Sequence, residues 1–243
     1  MILPEGIQWA DVTPLRAVTP IGGVNRATAT ECYDCSELLP KVDIYNDRYL
    51  DQVFKLHTLT GVKPDQIDFS DPKVYRVFKT CDTNGIGEFS NDVCKEVLLQ
   101  LQDIHFSDLI KVCGMMHGTY VWLCNGEKLV HEHPFRELIG TRENIFLTLR
   151  SYGIDRKDAF MIMETARKGQ LPWYNKYCSA SKNIVKCIDT LKNSDVPQWY
   201  IDSMCKAFYI FPKAHATYFA KLSYIMAWFK VYYPEAFEQV TNG

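Results

Sequence analysis

The 243-residue chain contains no uninterrupted apolar run of the ~18 residues that a membrane-spanning helix needs, so no membrane partner is expected. Its first residues, Met1-Ile2-Leu3-Pro4-Glu5, carry neither the basic stretch nor the apolar core of a secretory signal, and the reading is a cytoplasmic protein. It has no Walker-type Gly-Lys-Ser/Thr, no internal repeat and no low-complexity tract. A second Cys-x-x-Cys to match Cys32 and Cys35 is missing, so a structural zinc site is not expected. The nine cysteines read mainly as free, buried, small hydrophobes in a reducing compartment. With 47% hydrophobic and 23% charged residues, disorder is excluded as the main state.

A decided net charge is also lacking. Lys plus Arg is 27 and Asp plus Glu is 29, a formal charge of −2, which excludes a wholly basic nucleic-acid-binding module. The total conceals a gradient. Residues 1–139 carry 13 basic and 20 acidic side chains, whereas residues 140–243 carry 14 and 9. An acidic half precedes a basic half.

Residues 1–37 read as irregular, because Pro4, Pro14, Pro20 and Gly22-Gly23 punctuate them. Leu38 to Tyr45 reads as a short strand ending in a turn at Asn46-Asp47. Apolar residues at helical spacing predict helices over Tyr49–Thr60, Val74–Phe78, Asn91–Gln102 and Phe106–Cys113, the last with Ser107 as N-cap. Gly114 to Gly126 reads as a loop with packing anchors. From Pro134 onward the pattern is helical, over Arg136–Gly140, Glu143–Tyr152, Arg156–Lys168, Ser181–Lys192, Pro197–Phe208 and Ala214–Tyr232.

A few constellations carry chemistry. Asp43 stands alone in an apolar run, and a carboxylate held by buried neighbours suits Mg²⁺, which binds one or two carboxylates plus substrate phosphates. An Asp satisfying a turn amide is the plainer alternative. In Gly114-Met115-Met116-His117-Gly118-Thr119, two glycines bracket a histidine and precede a hydroxyl, so backbone amides can approach a ligand closely; an inter-helix turn is the alternative. In Phe211-Pro212-Lys213-Ala214-His215-Ala216, a Lys and a His fall in the first turn of a helix. A purely structural helix favours an acid there, so these cations point to a bound phosphate. Arg142, Arg150, Arg167, Lys168 and Lys206 recur near helix ends, where they can clamp phosphates or simply face solvent.

These pieces occur in a fixed order. Lys41-Val42-Asp43-Ile44 is followed by Gly85-Ile86-Gly87-Glu88-Phe89, then Gly114-x-x-His117-Gly118-Thr119-x-Val121-Trp122. Ala166-Arg167-Lys168-Gly169, Val196-Pro197-x-Trp199-Tyr200-Ile201-Asp202-Ser203, Phe211-Pro212-Lys213-Ala214-His215-Ala216 and Phe229-Lys230-Val231-x-x-Pro234 complete the series. It resembles the bacterial replicative DNA polymerase III alpha subunit of the PolC type, along nearly the whole chain. The match is to an internal stretch of that larger enzyme, the end of the palm and most of the fingers.

The resemblance implies a mainly α fold: a helical fingers-type domain over 48–243, basic from about 140, and a short α/β palm remnant over 1–47. It implies part of a DNA-directed DNA polymerase, with deoxynucleoside triphosphates and primer–template DNA as substrates. Asp43 matches the last of three palm aspartates that hold two metal ions; the other two lie in an Asp-x-Asp motif absent from these residues. The expectation is one piece of a split polymerase, with Mg²⁺ shared with aspartates on another polypeptide that supplies the rest of the palm. The alternative is a non-catalytic mimic that binds DNA or the replisome. His117, Gly118 and Thr119 are expected to line the nucleotide site, and Arg142, Arg167, Lys168, Lys213 and His215 to contact triphosphate or template. The chain departs from the family pattern at Tyr45-Asn46 (Leu-Gly in the family), at Tyr120 (Asp in the family) and at Gly87 (Pro in the family).

Overall fold

The computed structural model describes residues 16–21, 24–29, 47–171 and 182–242. The chain divides into two units, Met1–Asp47 and Arg48–Gly243.

In the first unit, β1 (Arg16–Ile21) pairs antiparallel with β2 (Val24–Ala29), in a register that sets Ile21 opposite Val24 and Pro20 opposite Asn25. Over residues 16–21 and 24–29 this corrects the irregular reading. Pro20 reads as a breaker there. Both strands of a two-stranded ribbon are edges, where proline is tolerated. Asp43, the Cys32/Cys35 pair and the strand expected over Leu38–Tyr45 lie outside the described residues.

The described part of the second unit is helical. Its helices are α1 (Arg48–Thr60), α2 (Pro72–Lys79), α3 (Asp92–Leu99), α4 (Phe106–His117), α5 (Arg142–Ser151), α6 (Arg156–Arg167), α7 (Lys182–Lys192), α8 (Gln198–Lys206), α9 (Lys213–Tyr232) and α10 (Pro234–Thr241). Their ends follow local chemistry. Asp71 accepts from the Lys73 N–H at 2.8 Å and Pro72 opens α2; Asn91 accepts from the Cys94 N–H at 2.8 Å to cap α3. Gly61, at φ +74°, ends α1 in the left-handed region.

Three sequence expectations need correcting. Ser107 lies inside α4; the N-cap is His105, whose N–H donates to the Asp108 carboxylate at 2.9 Å. The same helix runs on through Gly114-Met115-Met116 to His117, because Gly114 is buried there against another segment rather than exposed in a loop. No helix covers Arg136–Gly140; a single 3₁₀ turn spans Phe135–Glu137.

Helix α9 organises the unit. Its middle is buried all round, at Ala216, Ala220, Leu222, Tyr224, Met226 and Phe229 among others, and it packs against α1, α2, α4 and α10. Such a helix is apolar on every face because neighbours surround it. Tyr224 carries its only polar atom into this core, where the hydroxyl donates to the Asp68 carbonyl and accepts from the Asp71 N–H, each at 3.1 Å. Gly87 abuts Ser223 of α9 at φ +43°, a value that the proline ring excludes. The Gly-for-Pro departure therefore goes with a backbone that proline cannot adopt.

Candidate functional site

The segment Phe208–Lys213, between α8 and α9, is where the sequence candidates meet. Thr119 pairs with it as an isolated bridge: the Thr119 N–H donates to the Tyr209 carbonyl and the Phe208 N–H to the Thr119 carbonyl, both at 2.9 Å. A side chain on Gly118 would collide with Val121 and come within 3.1 Å of the Tyr209 carbonyl, so the approach needs glycine. On the C-terminal side of the same segment, the Arg142 N–H donates to the Phe211 carbonyl at 3.0 Å, and the Ile210 N–H to the Arg167 carbonyl at 3.2 Å. Gly169 lies so close to the Phe208 backbone that a Cβ could not fit.

His117 does not project into open space. Its ring packs in a triangle with Phe211 and Phe219, with centroids 4.6 and 4.8 Å away and near-parallel planes, and its Nε2 stands 3.4 Å from a Glu88 carboxylate oxygen. His215 sets its ring edge-on to Phe211 at 5.8 Å.

The charged part of the site is built on the starts of α5 and α9 and the end of α6. Arg142 opens α5, and the Asn144 side chain fixes that end by accepting from the N–H groups of Gly140 (3.1 Å) and Thr141 (2.9 Å). Arg167 grips Glu164 through two parallel hydrogen bonds of 2.5 and 2.7 Å. Lys168 Nζ lies 3.5 Å from the same carboxylate, and an Arg142 guanidinium nitrogen 3.8 Å from it. The Arg167 hydrogen bonds hold the Glu164 carboxyl below its usual range, against partial burial and with help from the Arg167 and Lys168 charges. Glu143 bonds Arg142 Nε at 3.1 Å through one oxygen and accepts the Lys213 N–H at 2.7 Å through the other.

Arg142, Arg167, Lys168 and the N-terminus of α9 are thus gathered around two carboxylates from their own chain. The planar forks of Arg that match a carboxylate also match a phosphate, so the cluster has the donors of an anion cradle. A cleft of about 800 Å³ opens beside it, lined by Arg142, Glu143, Phe146, Phe160, Met163 and Glu164 among others. That is within the size range of small-molecule sites.

The two glutamates stand outside the cation motifs of the sequence. Spacing held the signal: Glu164 precedes Arg167 by three residues and Lys168 by four, the helical separations for ion pairs. Arg150 leaves the candidates, since its guanidinium donates to the Ile154 carbonyl at 2.5 Å and closes the turn after α5.

Lys111 supports the cluster from below. It is buried, and its Nζ donates to the carbonyls of Arg136 (2.6 Å), Leu138 (2.7 Å) and, more loosely, Phe135 (3.4 Å). Gly140 packs on the Lys111 stem and Gly114 on the Gly140 carbonyl, so α4 lies directly against the chain that enters α5. Burial pushes the Lys111 amine down to about 8, with Asp108 acting against that shift.

The model of the bacterial DNA polymerase III alpha subunit finger domain matches residues 47–176, which takes in α1 to α6 and the whole charged cluster except Lys213 and His215. The chain belongs to this family. It is 31% identical over 256 residues to the DNA polymerase III PolC-type of Caldanaerobacter subterraneus subsp. tengcongensis, covering 98% of the chain. Against the PolC-type polymerases of Pediococcus pentosaceus and Staphylococcus aureus it is 31% and 30% identical over 96% of the chain. The chain spans 17% of the length of each of these relatives. It is a fingers segment of the PolC type, and its mainly α fold agrees with that. Among the described residues, no helix is long and apolar enough to cross a membrane, and no group of three or more His, Cys, Asp or Glu is placed to hold a metal ion.

Proposed function

We propose that the chain is the fingers of a split DNA-directed DNA polymerase, binding the triphosphate of an incoming deoxynucleotide and the primer–template. The observation that carries this reading is the cluster of Arg142, Arg167 and Lys168 with the α9 N-terminus, already closed on carboxylates. A triphosphate replaces Glu143 and Glu164 as the anion, and the cations that held them take its oxygens. Lys213 and His215 lie in the first turn beside it. His117, Gly118 and Thr119 hold the floor of the site through their ties to Phe211 and Tyr209 rather than by reaching out.

Chemistry needs more than fingers. Asp43 is proposed as one Mg²⁺ ligand, with the remaining palm aspartates on a partner polypeptide. In such a pair the metal ions supply activation of the primer 3′-hydroxyl and neutralise the leaving pyrophosphate. This chain's own contribution is to bind and orient the triphosphate.

Primer extension with Mg²⁺ tests the proposal, using the chain alone and mixed with a polypeptide that carries the Asp-x-Asp palm motif. Extension is expected only in the mixture and is lost with Asp43→Ala. Full activity of the chain alone overturns the split reading. A second reading, a mimic that binds DNA or the replisome without chemistry, draws on the same carboxylates, which neutralise the cradle from within. Tight DNA binding with no extension in any mixture favours it.

A further inference from the structure

Beside the charged cluster, the bridge between Thr119 and Tyr209 brings two aromatic rings together at the surface. Tyr120 is 48% exposed, Phe208 43% and Leu123 53%. The Tyr120 and Phe208 rings meet edge to face at 5.4 Å. Tyr120 also has a φ of +56°, the left-handed region that a bulky side chain enters at a cost of ~1–3 kcal/mol. The surrounding structure enforces it: the buried Asn125 side chain donates to the Tyr120 carbonyl at 3.0 Å and to the Ser203 carbonyl at 3.1 Å. Aspartate tolerates that backbone better and stands here in the family pattern, so this chain carries a ring where local conformation disfavours one. A core residue would explain such strain by burial, but Tyr120 is half out of the protein.

Cations flank the rings. Lys206 ends α8 two residues before Phe208, is exposed, and makes no ion pair among the described residues. Lys168 lies just before Gly169, which packs on the Phe208 backbone. Exposed rings beside lysines suit unpaired bases joined by phosphates, because every base has a face to stack and the backbone between is anionic. A duplex hides those faces.

We infer that Tyr120 and Phe208 form a stacking platform for the unpaired bases of one nucleic-acid strand, with Lys206 and Lys168 for its phosphates. The inference deepens the polymerase reading and rests on it for the choice of nucleic acid.

The experiment is fluorescence anisotropy with the whole chain, a labelled twelve-residue oligothymidylate and a blunt duplex of equal length. Tyr120→Asn is the informative variant, since Asn accepts the left-handed backbone and its loss of binding cannot be laid to added strain. Tyr120→Asn and Phe208→Ser are each expected to weaken single-strand binding by about 5- to 100-fold, with duplex binding unchanged. Tyr120→Phe is expected to retain it. Equal binding by wild type and both ring variants overturns the platform, as does equal loss on the duplex. A dimer of the wild type that dissociates on Tyr120→Asn overturns it in favour of a protein contact. Binding of inorganic triphosphate to the same samples reports the charged cluster separately: if it persists while oligothymidylate fails to bind, the platform falls and the cluster stands.

Discussion

The Glu143 carboxylate accepts a 2.7 Å hydrogen bond from the backbone N–H of Lys213, so the positive end of α9 is occupied by an anion of its own chain. Helix N-termini attract anions through unpaired N–H groups and the macrodipole. The occupant of such a site competes with any ligand for it. Glu143→Gln keeps an acceptor for the N–H and removes the charge. Affinity for inorganic triphosphate, measured by calorimetry, is expected to rise about tenfold, a change of ~1.4 kcal/mol. The thermal midpoint should fall by only about 2–4 °C, since a weakened cap costs ~1 kcal/mol in a chain of this size. Unchanged triphosphate affinity would mean that the carboxylate is a structural cap and nothing more.

Lys111 gives a pH dependence whose sign follows from its environment. Its amine sits at about 8 in the folded protein against an ordinary 10.5, with burial as the leading cause. Between those values the unfolded chain binds a proton that the folded chain has lost, so this residue's contribution to stability rises with pH from about 8 to 10.5. The thiols of Cys94 and Cys205 act in the opposite sense, because burial pushes them up to about 12 and about 11. Comparing wild type with Lys111→Met isolates the lysine. The wild-type advantage in urea unfolding is expected to grow across that window by up to ~3 kcal/mol. A difference that stays flat would place the amine in water.

Gly114→Ala tests the contact that seats α5. A Cβ there would meet the Gly140 carbonyl and stand 2.6 Å from Thr141 Cγ2, and backbone cannot yield as a flexible side chain can. Destabilisation of ~3 kcal/mol is expected by chemical denaturation, although alanine is the better helix former. A stabilised variant would show that helix propensity outweighs the contact.

Thiol labelling reads the described cysteines in a fixed order. Cys124 is exposed, while Cys94, Cys113 and Cys187 are buried and burial raises their thiols, Cys113 most strongly. Since the thiolate is the reactive form, peptide mass spectrometry at neutral pH should find Cys124 alkylated first among them and the buried three protected until unfolding. Early labelling of Cys113 would contradict the packing of α4.

Much of the second unit was legible because its helices have strong apolar periodicity and plain stops. Gly61 and Gly153 end α1 and α5 at positive φ, and Pro72 opens α2. Errors came where a tertiary contact overrode local punctuation. Gly114 reads as a breaker, yet it sits inside α4 because the chain at Gly140 must come that close. Arg136–Gly140 reads as helical, but the Lys111 amine takes up its carbonyls and holds it as a single turn. The pairing of β1 with β2 was hidden by Pro20, which an edge strand accommodates.

By itself the sequence determined the helical class of the second unit and the cations of the candidate site, since periodicity and residue type are local properties. Its ordered motifs also determined the family. Tertiary structure alone decided what those cations hold. Glu143 and Lys213 are 70 residues apart, and no spacing rule links them. It likewise decided that His117 is packed against two phenylalanines and that Tyr120 is held outward on a strained backbone. Charge pairing and exposure depend on which distant segments meet, and that is settled only when the core around α9 closes.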